Sequence, residues 1–115
     1  MSKTIKEDYC SKEIYRLLRE KGFDGEVHTT FDEEGYTQPS ITLQMAMKWL
    51  REVHGLHISL EPCYDYDSMH VEFLAFVQNV ADVHKFMDGR KNVASYPNAE
   101  KSCELAIKYC LENLI

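Results

Sequence analysis

Residues 42–60 read TLQMAMKWLREVHGLHISL, and a change of period inside this stretch decides the fold class. Leu43, Ala46, Met47, Leu50 and Val53 recur every three or four positions, which sets them on one face of an α-helix. Lys48, Arg51 and Glu52 fall on the opposite, solvated side. Thr42 is placed to cap the helix, because its hydroxyl oxygen can accept from an amide one turn in. Gly55 suits the left-handed residue that closes it. Beyond the glycine the period becomes two: Leu56, Ile58 and Leu60 alternate with His57, Ser59 and Glu61, the pattern of a half-buried strand. A helix that turns into a strand through one glycine should fold back over the sheet.

The rest of the chain has the same mixed character. Ser11 is placed to cap a helix running to about Lys21, with Ile14, Leu17 and Leu18 inward and Gly22-Phe23 as its C-cap. Val27 to Phe31 alternates as a short strand. Asp32 to Gly35 reads as an acidic turn, and Tyr36 to Gln38 as a return strand that Pro39 ends. Pro62 to Asp67 reads as a turn, and Met69 to Val77 as the most strand-like run in the chain. Gln78 to Lys85 fits either a continued strand or a short helix. Lys91 to Tyr96 reads as a last strand. Asn98 then caps a closing helix whose buried stripe is Cys103, Ala106, Ile107, Cys110 and Leu114. The expectation is a single α+β domain over residues 1–115, with a small antiparallel sheet of three to five strands packed against about three helices.

Composition narrows the function classes. Thirteen Lys and Arg stand against nineteen Asp and Glu, a net charge of -6. An acidic chain lacks the phosphate-neutralising stripe of nucleic-acid binders, so no nucleic-acid partner is expected. No apolar run approaches the ~20 residues of a membrane span, and no secretory apolar segment opens the chain, so a cytoplasmic protein without membrane contact is expected. Four cysteines occur without CxxC pairing, which reads as small, reduced core residues. No cofactor is expected, because P-loop, dinucleotide and GxSxG patterns are all missing.

The block Trp49-Leu50-Arg51-Glu52-Val53-His54, followed by its alternating strand, resembles a group of short proteins from phages and mobile elements of gut bacteria. The opening Cys10-Ser11 helix that ends at Gly22-Phe23, and the helix entry at Tyr96-Pro97-Asn98, are similar to that group as well. The family is uncharacterised; the resemblance implies a mobile-element origin and no particular activity.

Pairing the two central strands yields candidate site residues. If Leu56–Glu61 and Met69–Val77 form a hairpin that buries Ile58 with Val71 or Phe73, then His57, Ser59 and Glu61 share the other face with His70, Glu72, Leu74 and Phe76. Leu74 and Phe76 would form an apolar strip on a polar face, the mark of a contact surface. Trp49, at the edge of its helical stripe, is either core or an interface anchor. These three define the expected interaction surface, for a protein partner or a second copy in a homodimer. The alternative is a metal-dependent enzyme with His57, His70 and Glu72 as ligands or as acid and base; an ordinary solvated sheet face is the plain reading of the same residues. Asp65 and Asp67 beside Glu61 lack the ordered spacing of a calcium loop. His54 reads as a cap for the helix end.

Overall fold

A computed structural model describes residues 8–25, 27–31 and 34–115. Four helices and five strands follow in the order α1 (Lys12–Glu20), β1 (His28–Phe31), β2 (Thr37–Ser40), α2 (Leu43–His54), β3 (Leu56–Asp65), β4 (His70–Asn79), α3 (Val83–Met87), β5 (Lys91–Tyr96) and α4 (Ala99–Asn113). β3, β4 and β5 form a three-stranded antiparallel meander, and β1 pairs with β2 in a separate hairpin. The architecture is α+β. Asp32 and Glu33 of the acidic turn expected over Asp32–Gly35, and the chain before Asp8, lie outside the described residues.

Local chemistry sets the helix ends. In α1 the Ser11 hydroxyl accepts from the Ile14 amide at 3.3 Å. At the other end Phe23 N donates to Leu18 O and Gly22 N to Arg19 O, with Gly22 at φ +98°. That pair of bonds closes the helix and folds buried Phe23 under it. α2 starts with the Thr42 hydroxyl accepting from Met45 N at 3.2 Å and stops at left-handed Gly55, φ +66°. A Cβ at Gly55 would run into Ala81 Cβ and lie 3.3 Å from Ala81 N, so this glycine answers both to its φ and to a close approach. Tyr9 bridges Thr42, with Cys10 N donating to Ile41 O at 2.8 Å.

One face of the meander is the core. α4 lies across all three strands, α2 packs on β3 and α4, and α1 packs on α4 away from the sheet. Leu18, Ile41, Leu50, Ile107 and Leu111 are fully buried between these layers, each contributing ~1.5–3 kcal/mol from apolar area removed from water. The Ser102 hydroxyl, also buried, donates to Phe73 O at 2.7 Å and ties α4 to the central strand. Two apolar positions differ from the periodic expectation. Val53 is exposed, being about 80° around the helix from Leu43 and so at the border of the stripe. Leu114 is exposed and Leu111 buried in its place, because α4 ends at Asn113 and Leu114 is only its cap.

Two strands run further than expected. β2 passes through Pro39, which pairs with Thr29. β3 passes through Pro62 to Asp65. Proline lacks an amide donor, but both are edge strands, where one side of the backbone needs no ladder partner. The hairpin turn accordingly falls at Tyr66–Met69 rather than at Pro62–Asp67. Ile58 therefore pairs with Val77, not with Val71 or Phe73. The difference is four or six residues, an even number, so every side chain keeps its face. After Asn79 the chain forms the one-turn helix α3, which accounts for the segment open between strand and helix.

Candidate interaction face

The face of the sheet away from the helices carries His57, Ser59, Glu61, Cys63 and Asp65 from β3, opposite Gln78, Phe76, Leu74, Glu72 and His70 from β4. Alternation along each strand places them there. The last pair with a buried member is Leu60–Ala75. From there the ribbon runs five more residues to Asp65 and His70, ~17 Å, half-buried or exposed on both faces. The end of the hairpin is thus an arm that overhangs the core.

The arm is apolar and aromatic at its tip. Tyr66 is 81% exposed and Met69 68%, with Tyr64 and Val71 also exposed. Tyr64 and Tyr66 meet edge to face at 4.9 Å between ring centroids. The turn is held by the Asp65 carboxylate accepting from Asp67 N at 3.0 Å and by Met69 N donating to Asp65 O at 2.8 Å, with Met69 left-handed at φ +61°. A cleft of about 380 Å³ opens here, lined by Cys63, Tyr64, Asp65, Tyr66, Asp67, Glu72 and Leu74. Glu72 accepts from the Ser95 hydroxyl of β5 at 2.5 Å.

Nearer the core the face is partly covered. Arg90 grips Glu61 through both terminal guanidinium nitrogens, Nη2 lying 3.0 Å from Oε2. Its guanidinium carbon sits 3.9 Å above the Phe76 ring centroid, a cation–π contact. The hydrogen bond from Arg90 holds the Glu61 carboxyl below its ordinary range, and the same bond raises Arg90. Gln78 Nε2 donates to Phe86 O at 3.2 Å and ties α3 over this end. Val83, Phe86 and Met87 of α3 point to water in turn. Arg90 lies 14 residues after Phe76 across a turn and a helix, and no local pattern announces that contact.

Leu74 and Phe76 therefore share the outer face as expected, both half-buried, with Leu74 in the open cleft and Phe76 under Arg90. Trp49 does not join them. It packs edge-on against Phe23 at 5.7 Å and His54 at 4.6 Å, on the helical side. Imidazole contact with that indole, rather than a cap, is what His54 makes; Gly55 N closes the helix instead. The register also parts the three metal candidates. His57 pairs with Gln78 and His70 with Asp65, eight positions away, or about 26 Å along the ribbon. His70 and Glu72 are near each other and His57 is not, so these three side chains form no common coordination site within one chain. Among the described residues no group of three or more His, Cys, Asp or Glu is arranged to hold a metal ion.

Three cysteines, Cys10, Cys103 and Cys110, are buried and unbridged, as expected of small core residues. Burial pushes each thiol up to about 12. Cys63 is the exception, exposed on the arm, because β3 extends to where a turn was expected. Among the described residues no helix is long and apolar enough to cross a membrane. In comparisons with known proteins the chain matches no family model, no curated protein and no solved structure.

Proposed function

We propose that this chain is a non-enzymatic protein-interaction module that associates with copies of itself through the distal arm of the β3–β4 hairpin. The observation that carries the reading is the overhanging arm: Tyr64, Tyr66, Met69 and Val71 are exposed together where the sheet has left its own core. Exposed apolar side chains grouped in this way suit a contact surface, and aromatic residues dominate the energetics of such surfaces. The resemblance of the Trp49–His54 block fits an accessory protein of a phage or mobile element, acting in the cytoplasm.

Leu74 is the residue to change. It lines the tip cleft, whereas Phe76 is shielded by Arg90. Light scattering after size exclusion should give a mass above the 13.4 kDa of one chain at high micromolar concentration. Leu74→Asp should return it to the monomer with an unchanged circular dichroism spectrum. A wild-type protein that stays monomeric at every concentration overturns the reading.

A further inference from the structure

The helical side of the molecule carries a feature opposite in charge to the arm. Lys12, Arg16 and Arg19 are spaced by four and three residues on α1, so they lie along one helix face over ~10 Å. With Tyr15 and Pro39 they line a groove of about 330 Å³ between α1 and β2. Among the described residues none of the three forms an ion pair. Glu13, the acidic residue of the first turn, is drawn aside to Lys108 Nζ at 2.8 Å. In a chain of net charge -6, this is a concentrated positive strip beside apolar lining, with Arg19 Nη1 donating to Phe23 O at 3.3 Å.

The cleft at the arm's tip is its counterpart. It presents Asp65, Asp67 and Glu72 around two tyrosines. The two cannot meet within one molecule. The tip cleft belongs to the outer face of the sheet, while α1 sits on α4, which covers the inner face.

We propose that the tip of the β3–β4 hairpin docks into the α1–β2 groove of a second copy, so that copies associate head to tail. The proposal rests on the self-association reading and gives it a geometry. Asp65 and Asp67 face the Lys12–Arg16–Arg19 strip, and the Tyr66 ring lies against the guanidinium groups, where a cation over an aromatic face adds attraction. A two-fold pairing of tips is disfavoured, because it would set Asp65, Asp67 and Glu72 against their own copies, and like-charge juxtaposition at an interface is costly. A contact between two different surfaces repeats: the copy at one end keeps its groove free and the copy at the other end its tip, so the series stays open or closes only as a ring.

Charge reversal tests the geometry. Wild-type protein at low ionic strength should show a weight-average mass that climbs steadily with concentration and falls as salt is added. Arg16→Glu and Asp67→Lys should each weaken assembly by about tenfold or more. An equimolar mixture of the two variants should assemble again, since the reversed tip of one fits the reversed groove of the other. Thermal melts check that both variants fold, and Lys12→Glu replaces Arg16→Glu if the latter is destabilised. A discrete, salt-insensitive dimer, or variants that stay apart when mixed, overturns the head-to-tail contact and leaves self-association standing. A wild type that never assembles removes both.

Discussion

Replacing Gly55 with alanine should cost about 2–5 kcal/mol, in two separable parts. Gly55 sits at φ +66°, where an L side chain meets the following carbonyl at a cost of ~1–2 kcal/mol. The new methyl would also overlap Ala81 Cβ and lie 3.3 Å from the Ala81 amide nitrogen. Ala81 is exposed but not free to retreat. Its amide donates to Asn79 Oδ1 at 3.1 Å, and its neighbour Val80 N donates to Gly55 O at 2.8 Å. Moving the loop therefore strains two hydrogen bonds, and overpacking of this kind costs ~1–3 kcal/mol. Trp49, the single tryptophan, packs half-buried on the same helix against Phe23 and reports unfolding by its fluorescence. With a urea slope of ~1–3 kcal/mol per molar, the midpoint should fall by roughly 0.7 M or more. Ala81→Gly on the same background should recover the steric part and leave ~1–2 kcal/mol of backbone strain. A loss for Gly55→Ala below ~0.5 kcal/mol, the usual range of a surface substitution, would refute the reasoning, as would a double-mutant cycle without coupling.

Three further outcomes can be checked on the same protein. Cys63 should react rapidly with a thiol reagent at neutral pH while Cys10, Cys103 and Cys110 wait for denaturant, since burial lifts those three to about 12; a second fast thiol in the native protein would contradict the packing. Ser102→Ala should lower stability by ~1–2 kcal/mol in urea titration, because the Phe73 carbonyl loses its 2.7 Å donor from a fully buried hydroxyl; an unchanged midpoint would mean the bond adds nothing. Glu61 has a folded-state pKa below its unfolded value because Arg90 donates to it, so its contribution is present above the ordinary carboxylate range and lost as pH falls through the lowered pKa. Arg90→Ala should move the Glu61 carboxyl NMR titration up toward its ordinary midpoint, and equal midpoints in both proteins would dismiss the pairing.

What was legible in the sequence was what the chain decides locally. The Thr42 and Gly55 caps, the stripe of Leu43, Ala46 and Leu50, and the period-two run after the glycine are short-range facts, and α2 and the start of β3 follow from them. The pairing of β3 with β4 is not local. Pro62 beside Asp65 and Asp67 looks like a turn until one knows that β3 is an edge, and the sheet order alone settles that. Because the register differed by an even number of residues, the faces were right while the partners were wrong, and the separation of His57 from His70 was lost with them. α3 offers no buried face to read; its signal is the cap, the Asp82 carboxylate accepting from His84 N and Lys85 N. The Lys12, Arg16 and Arg19 strip was present in the helical spacing. Periodicity marks only the apolar face of α1, and cations at helical spacing opposite it look the same in sequence whether they line a groove or face water.

Pro62 has a consequence for the borders of the sheet. A strand arriving alongside β3 would find one amide missing midway along ten residues of backbone, and along β5 it would meet the bulge where the ladder slips between Ala75 and Phe76. Bare edges invite stacking into insoluble cross-β material, and interruptions of this kind discourage it. With backbone accretion blunted on both sides, whatever this chain assembles into must be specified by its side chains. Those can be rewritten one codon at a time, so its choice of neighbours is open to selection without refolding the sheet.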